Sequence, residues 1–133
     1  MDTYEQKLSL LAEMISFALI DGKLHEKEYQ FLSIVAHELQ IKKEDFNNLF
    51  HEKLAPLPIK SELQRIQQFY RLALLMHCDG ILDPREEIAI REIGIRMGLN
   101  PSAVKRILKA MEASPTRMVD PQVITDIFRE QLN

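Results

Sequence analysis

The chain has few of the residues that cross-link or interrupt a fold. Its 133 residues include one cysteine and four glycines, and its formal net charge is only −3. A single cysteine, Cys78, excludes an intramolecular disulfide and favours a reducing compartment. The small net charge gives no overall attraction to nucleic acid or to an anionic membrane. With so little glycine and so much Leu, Ile, Glu, Lys, Arg and Gln, the composition predicts an all-α protein.

Targeting and membrane-spanning patterns are also missing. No basic start leads into an apolar run with a small-residue cleavage site, so the sequence predicts no signal peptide. The most apolar stretch, residues 8–20, is interrupted by Ser9, Glu13 and Ser16. It is shorter than the about 20 apolar residues that a bilayer requires. We therefore expect a soluble cytoplasmic protein with no membrane partner.

An eight-residue pattern occurs twice in the chain. Residues 21–28 read DGKLHEKE, and residues 79–86, which lie 58 positions later, read DGILDPRE. The Asp, Gly, Leu and Glu keep their places. Residues 14–50 align with residues 72–108 without a gap, and most apolar positions match. Such self-similarity predicts that one helix-loop-helix unit is used twice to build a single core.

Helical spacing and capping signals divide the chain into seven helices. The first four are predicted near residues 3–20, from residue 26, over 43–53 and over 60–78, the fourth with Leu63 facing inward. The last three begin where an N-cap residue precedes proline, at residues 83–84, 100–101 and 120–121. The prediction is one all-α domain over residues 1–133. It is a compact bundle of about seven helices, made from two helix-loop-helix repeats (about 14–50 and 72–108) and a C-terminal helix.

The twin loops resemble only the second half of a calcium-binding EF-hand loop. Their Gly, Leu and Glu match loop positions 6, 8 and 12. Loop positions 1 and 3, however, would be Phe17 and Leu19 in the first copy, and Leu75 and His77 in the second. Phenylalanine and leucine side chains have no oxygen to offer a hard cation. The sequence therefore excludes an EF-hand.

A purely structural interpretation accounts for the same residue types. The glycine of each loop ends the incoming helix, and the loop aspartate accepts backbone amide hydrogens. Asp83 caps the next helix, and Glu86 reaches back to complete a capping box. His25 and Glu28 occupy the equivalent places in the first loop. On this interpretation no ligand is needed.

The alternative interpretation takes the two loops together. If a pseudo-two-fold axis relates the halves, both loops reach one end of the bundle. The metal ligands would then be Asp21, Glu28, Asp79 and Glu86, with Asp83 and Glu26 nearby. Two carboxylates about 4 Å apart repel by roughly 4 kcal/mol at an effective dielectric constant near 20, so the cluster would need a divalent cation, a cationic partner or protonation. Oxygen ligands favour Ca²⁺, Mg²⁺ or Mn²⁺ over Zn²⁺.

The paired Asp-Gly-x-Leu-x-x-x-Glu motifs, each between helices and 58 residues apart, resemble the TerB-like domains of tellurite-resistance proteins. The likeness covers roughly residues 4–111. It implies a compact all-helical bundle with an internal duplication, a metal-associated role in bacterial stress response, and no enzymatic activity. Domains of this kind also occur as accessory modules of membrane-anchored co-chaperones. The residues that the resemblance carries over are Asp21, Glu28, Asp79 and Glu86.

The residue patterns themselves also argue against catalysis. There is no HExxH motif, no Cys/His cluster and no glycine-rich phosphate loop. His77 adjoins Cys78, but neighbours on a helix point about 100° apart and so cannot form a nucleophile–base pair. The 58-residue shift aligns these two residues with Leu19 and Ile20, which favours core positions for both. We expect no enzyme.

Residues 91–109 offer a rival interpretation as a DNA-binding helix-turn-helix. Gly94 would let the two helices approach, and Gly98 would take the turn. The side chains that would face the groove or its phosphates are Ser102, Lys105, Arg106 and Lys109. The matching segment of the first half, residues 33–48, has the same apolar skeleton but carries acidic residues. Since helix packing explains the skeleton, nucleic acid is the less favoured partner.

A protein-interaction adaptor with purely structural loops is the third alternative. Met111 and Met118 flank the break at residues 114–115 and could form an apolar seam for a protein partner or a homodimer. The final helix, with Ile124, Ile127 and Phe128, could instead cover that seam within the monomer.

Overall fold

The computed structural model describes residues 3–80 and 82–130, and all regular structure in those two ranges is helical. The helices in this part of the chain are α1 (Tyr4–Ala18), α2 (Glu26–Glu38), α3 (Lys43–Asn48), α4 (Glu62–His77), α5 (Pro84–Arg96), α6 (Pro101–Ala113) and α7 (Pro121–Glu130). The predicted all-α fold of seven helices is therefore confirmed.

The helix starts with the strongest local signals lie where they were predicted. Asp83, Asn100 and Asp120 each accept a hydrogen bond from the backbone amide two residues further on, at 2.8, 2.9 and 2.7 Å. Proline follows each of them at the first helical position, where its missing amide would have had no helical partner. Each cap contributes roughly 1 kcal/mol to its helix.

Two helix boundaries and one burial prediction are wrong. Helix α3 ends at Asn48 rather than near residue 53, and α4 begins at Glu62 rather than at residue 60. Pro56 and Pro58 in the segment between them disfavour helical conformation at residues 55 and 57, but both boundaries lie outside that stretch. Leu63, predicted to face inward, is 55% exposed. It precedes the fully buried Leu72 by nine residues, which places it on the opposite face of the helix.

The helices of the two halves correspond in position along the chain. A shift of 58 residues places α2 on α5 from end to end and the start of α3 on the start of α6. Residues with positive φ correspond as well, Gly22 (84°) with Gly80 (75°) and Gln40 (59°) with Gly98 (76°). In space α1 packs on α2 and α4, α4 packs on α5, and α5 packs on α6. The two acidic loops thus begin at the C-terminal ends of α1 and α4, and these two helices pack against each other.

The common core lies among these packed helices. Its fully buried side chains include Leu11, Met14, Leu32, Leu72, Leu75 and Ile90. Each such side chain contributes roughly 1.5–3 kcal/mol through its removal from water. Burial of this core holds the two halves together.

The final helix covers part of the apolar seam. Met111 on α6 is fully buried, and α7 packs on α6 with Ile124, Ile127 and Phe128 turned inward. Met118 remains 60% exposed. Covering of the seam within the monomer is thus observed for Met111 and not for Met118. None of the helices in residues 3–80 and 82–130 has the length and apolar character needed to cross a bilayer.

Candidate metal-binding site at the two acidic loops

The first acidic loop is held by hydrogen bonds to its own carboxylates. Gly22 has a φ of 84°, a left-handed conformation that favours glycine. Asp21 Oδ1 accepts from the Lys23 amide at 3.0 Å, and Asp21 Oδ2 lies 3.0 Å from His25 Nε2. Glu28 Oε1 accepts from the His25 amide at 3.0 Å. The turn predicted for this loop, and the predicted reach of Glu28 back to the helix start, are therefore confirmed.

The second loop caps its helix differently. Asp83 accepts from the Arg85 amide at 2.8 Å, and its Oδ2 also pairs with Arg85 Nη2 at 3.0 Å. Glu86 was predicted to complete a capping box here, and that prediction is wrong. Its side chain is buried with only 5% exposed, and Oε2 has no hydrogen-bond partner among the residues that the structure describes. The Glu86 carboxyl lies among the other loop carboxylates instead of closing the helix end.

The fold brings the two loops together. His25, Glu28 and Asp79 each offer one ligand atom, and these three atoms lie within 4.8 Å of one another. The charge of Asp79 acts on His25 and Glu28, and the charges of Asp21 and Glu28 act on Glu86. We call the set Asp21, His25, Glu28, Asp79, Asp83 and Glu86 the loop cluster. It contains all four carboxylates that the sequence predicted as ligands. Glu26, predicted to lie nearby, is exposed at the first position of α2.

Burial and charge set the protonation of the cluster. Burial, followed by the charges of the neighbouring carboxylates Glu28, Asp21, Asp83 and Asp79, raises the pKa of Glu86 to about 8. Burial also raises the pKa of Glu28, which the His25 amide partly offsets. At neutral pH Glu86 therefore keeps its proton, which is one of the three ways in which such a cluster relieves its repulsion.

At the more exposed side of the cluster, hydrogen bonds lower the pKa of one carboxylate. The Lys23 amide, and then the His25 ring, hold the pKa of Asp21 below its usual value. The hydrogen bond to Asp21 raises the pKa of His25, and the charges of Glu28 and Asp79 add to that rise. The cluster is thus ionised near Asp21 and protonated at Glu86.

Cys78, at the C-cap of α4, lies beside the cluster, whereas the ring of His77 lies near the charges of Arg117, Glu112 and Glu87. Burial, followed by the charges of Glu28, Asp79 and Glu86, raises the pKa of the half-buried Cys78 thiol to about 12. Since the thiolate is the nucleophile, the thiol is unreactive near pH 7. His77 is buried, burial lowers its pKa, and Nε2 has no hydrogen-bond partner within the described ranges. The core position predicted for His77 is confirmed.

The helix pair behind the rival DNA-binding interpretation is present. A Cβ at Gly94 would lie 3.0 Å from Val104 Cγ2, so the close approach of α5 and α6 is confirmed. The predicted DNA-facing side chains, Ser102, Lys105, Arg106 and Lys109, are all exposed on α6. Arg106 forms an ion pair with Glu130 of α7 at 2.9 Å. Packing accounts for the shared skeleton, and DNA binding stays a prediction without further support.

His25 is the residue of the cluster that the sequence reasoning missed as a ligand. It was assigned only a place at the start of a helix, yet its ring nitrogen belongs to the group of three potential ligand atoms. A signal was present, because His25 lies four residues after Asp21 and three before Glu28. At those spacings side chains around a helix start can meet.

Comparison with known proteins bears on the first half of the chain. A family model described as tellurite resistance protein TerB matches residues 1–51. That segment contains α1 to α3 and the first acidic loop. No match is found among curated proteins or among solved structures. The resemblance that the paired motifs predicted is therefore confirmed over residues 1–51, the part of the chain that the TerB model matches.

Proposed function

We propose that this protein is a non-enzymatic, TerB-like binding module that holds a divalent cation between its two acidic loops. The observation that carries the proposal is the convergence of His25, Glu28 and Asp79, which come from both loops. Donor atoms of one divalent ion lie about 2.0–2.5 Å from it, and hence at most about 5 Å from each other. The 4.8 Å limit on these three atoms meets that requirement.

The buried Glu86 carboxyl distinguishes this proposal from a purely structural role for the loops. Capping and turn hydrogen bonds account for Asp21, Glu28 and Asp83. They do not account for Glu86 Oε2, which is buried and has no partner among the described residues. A buried polar atom without a partner costs roughly 1–3 kcal/mol. A cation in the loop cluster would supply the missing interaction.

A small ion fits the cluster better than a cationic side chain of a partner protein. Glu28 is 2% exposed and Glu86 is 5% exposed, so both carboxylates lie beneath the surface. A lysine or arginine would have to bring its charge and its alkyl chain into that space.

The TerB match supports a place in a tellurite-resistance type of stress response, and a cytoplasmic location is part of this proposal.

Calorimetric titration of Ca²⁺, Mg²⁺, Mn²⁺ and Zn²⁺ into the metal-free protein tests the proposal. We expect saturable binding to the wild type and its loss in an Asp21→Asn/Asp79→Asn variant. Glu62→Gln, a neutralised exposed glutamate in the first turn of α4, serves as the control and should bind like the wild type. Thermal unfolding at increasing metal concentration detects binding that releases too little heat for calorimetry, because a ligand that binds only the folded state raises Tm. Absence of both signals at millimolar metal would falsify the proposal.

A further inference from the structure

The two acidic loops differ in one potential donor atom. Where the second loop has Asp83, the first loop has His25. His25 Nε2 lies 3.0 Å from Asp21 Oδ2 and 4.0 Å from Glu28 Oε1. Together with Asp79, these contacts place one imidazole nitrogen among carboxylate oxygens.

The fold itself does not require histidine at this position. Aspartate, asparagine, serine and threonine are the preferred residues at a helix N-cap. Asp83 fills the same place at the start of α5 and caps it through the Arg85 amide. An aspartate at position 25 would therefore serve the helix as well as or better than the histidine does.

The pairing of His25 with Asp21 is also a weak structural reason for the imidazole. The His25 side chain is 41% exposed. Ion pairs that are this open to water contribute little to stability because solvent screens them. What sets His25 apart from an ordinary surface histidine is that a ring nitrogen lies close to the buried Glu28 and to Asp79 of the other loop.

We propose that His25 makes the loop cluster select the divalent first-row transition ions Fe²⁺ through Zn²⁺ over Ca²⁺ and Mg²⁺. The inference rests on the proposed function, since it concerns which ion the same site holds. Imidazole nitrogen suits borderline ions such as Zn²⁺ and Fe²⁺, whereas Ca²⁺ and Mg²⁺ take oxygen donors. The sequence-based preference for Ca²⁺, Mg²⁺ and Mn²⁺ assumed oxygen ligands only. The donors that lie within 4.8 Å of one another are one ring nitrogen of His25 and one oxygen each of Glu28 and Asp79. Glu86, whose buried Oε2 has no hydrogen-bond partner among the described residues, feels the charge of Glu28 but is not one of those three.

The test compares dissociation constants for Zn²⁺, Mn²⁺, Ca²⁺ and Mg²⁺ in the wild type and in two variants. His25→Asp makes the first loop an oxygen-only copy of the second, and His25→Asn removes the nitrogen donor without adding charge. We expect the ratio of the Ca²⁺ to the Zn²⁺ dissociation constant to fall at least tenfold in both. His51→Asn, which removes an exposed histidine outside the cluster, should leave the ratio unchanged.

A second readout needs no variant. Zinc added to ¹⁵N-labelled wild-type protein should shift the Nε2 resonance of His25 and leave those of the exposed His37 and His51 in place. If none of the four ions binds the wild type, the proposed function itself is wrong. If ions bind but Ca²⁺ binds as tightly as Zn²⁺, or the ratio survives both His25 substitutions, or the Nε2 resonance stays in place, the role of His25 is overturned while the site remains.

Discussion

Gln68 of α4 donates a hydrogen bond from its side-chain amide to Glu13 Oε1 of α1 at 2.9 Å, and the same nitrogen donates to the Leu10 carbonyl at 3.0 Å. Gln68 is completely buried. Helices α1 and α4 are the ones that lead into the two acidic loops. This polar contact inside the core therefore helps to set how the halves meet, and hence where the loop cluster forms.

Substitution of Gln68 by alanine should lower the free energy of unfolding by about 2–4 kcal/mol. The change removes a buried side chain together with its hydrogen bonds to Glu13 and to the Leu10 carbonyl, and both losses destabilise. Urea denaturation measures the loss. The neighbouring Gln67 is exposed on the same helix, so Gln67→Ala is the matched control and should change stability by less than about 0.5 kcal/mol. Equal effects of the two substitutions would contradict the role of Gln68.

Gly94→Ala should destabilise the protein by about 1 kcal/mol through a clash with α6. The added Cβ would lie 3.0 Å from Val104 Cγ2, and a buried valine has little freedom to turn away because it is branched at Cβ. The higher helix propensity of alanine offsets part of the cost. In a double-mutant cycle with Val104→Ala, the cost of Gly94→Ala should disappear. A cost that persists in the Val104→Ala background would show that this contact is not its source.

The metal-free protein should lose stability as pH rises from about 4.5 to about 8. Glu86 has a pKa of about 8 in the folded chain and 4.5 as its reference value, so the unfolded chain releases the proton first. The contribution of protonated Glu86 to the free energy of unfolding is fully present below the pKa of the unfolded chain. It decreases between the pKa values of the unfolded and folded chains, and it changes no further above the pKa of the folded chain. At about 1.4 kcal/mol per pKa unit, the loss has an upper limit on the order of 5 kcal/mol. The raised pKa of Glu28 acts in the same direction.

Glu86→Gln provides the measurement of that pH effect. The variant cannot ionise at this position, so its urea midpoint in chelator should fall less with pH than that of the wild type. The difference in urea midpoint between the variant and the wild type should therefore shift in favour of the variant as pH rises, and the shift should be largest near pH 9. Asp21 and Asp83 have lowered pKa values, and their effects appear only in more acidic solution. Parallel pH profiles for the wild type and Glu86→Gln would show that Glu86 is not the source of the pH dependence.

Cys78 should react with a thiol reagent about 1,000-fold more slowly in the folded chain than in the urea-unfolded chain at pH 7.5. Its pKa of about 12 lies some three units above the reference value of 9.0, and only the thiolate reacts. Partial burial of the sulfur slows the reaction further. Rates with a chromogenic disulfide reagent in buffer and in urea give the ratio. Comparable rates in both would mean that the thiol lies open to water and ionises normally.

Features that depend on neighbouring residues in the chain could be predicted from the sequence. The starts of α5, α6 and α7 follow from an N-cap side chain and a proline, both of which act within one helical turn. The prediction was poorer where no such signal exists. The end of α3 and the orientation of Leu63 depend on what each helix packs against, and helical spacing alone did not show which face that would be.

The loop cluster was predictable only in part for the same reason. Asp21, Glu28, Asp79 and Glu86 stood out because their spacing repeats after 58 residues, but repetition does not state a distance in space. The sequence assigned Glu86 to a helix cap, whereas its carboxyl lies buried among those of the other loop. From its position in the sequence His25 was predicted only to cap a helix, because the sequence does not show that Asp79 lies close to its ring.

The amino-acid sequence by itself determined the all-α class, the helix starts, the twin acidic loops and the likeness to TerB, because each is written in residue types a few positions apart. Tertiary structure alone decided that the loops meet, that His25 lies within 4.8 Å of Asp79, and that Glu86 is buried with no hydrogen-bond partner for its Oε2 among the described residues. Those relations join residues more than 50 positions apart, and they exist because α1 and α4 pack against each other. Burial of a shared apolar core, and not any property of the loops themselves, creates the candidate site.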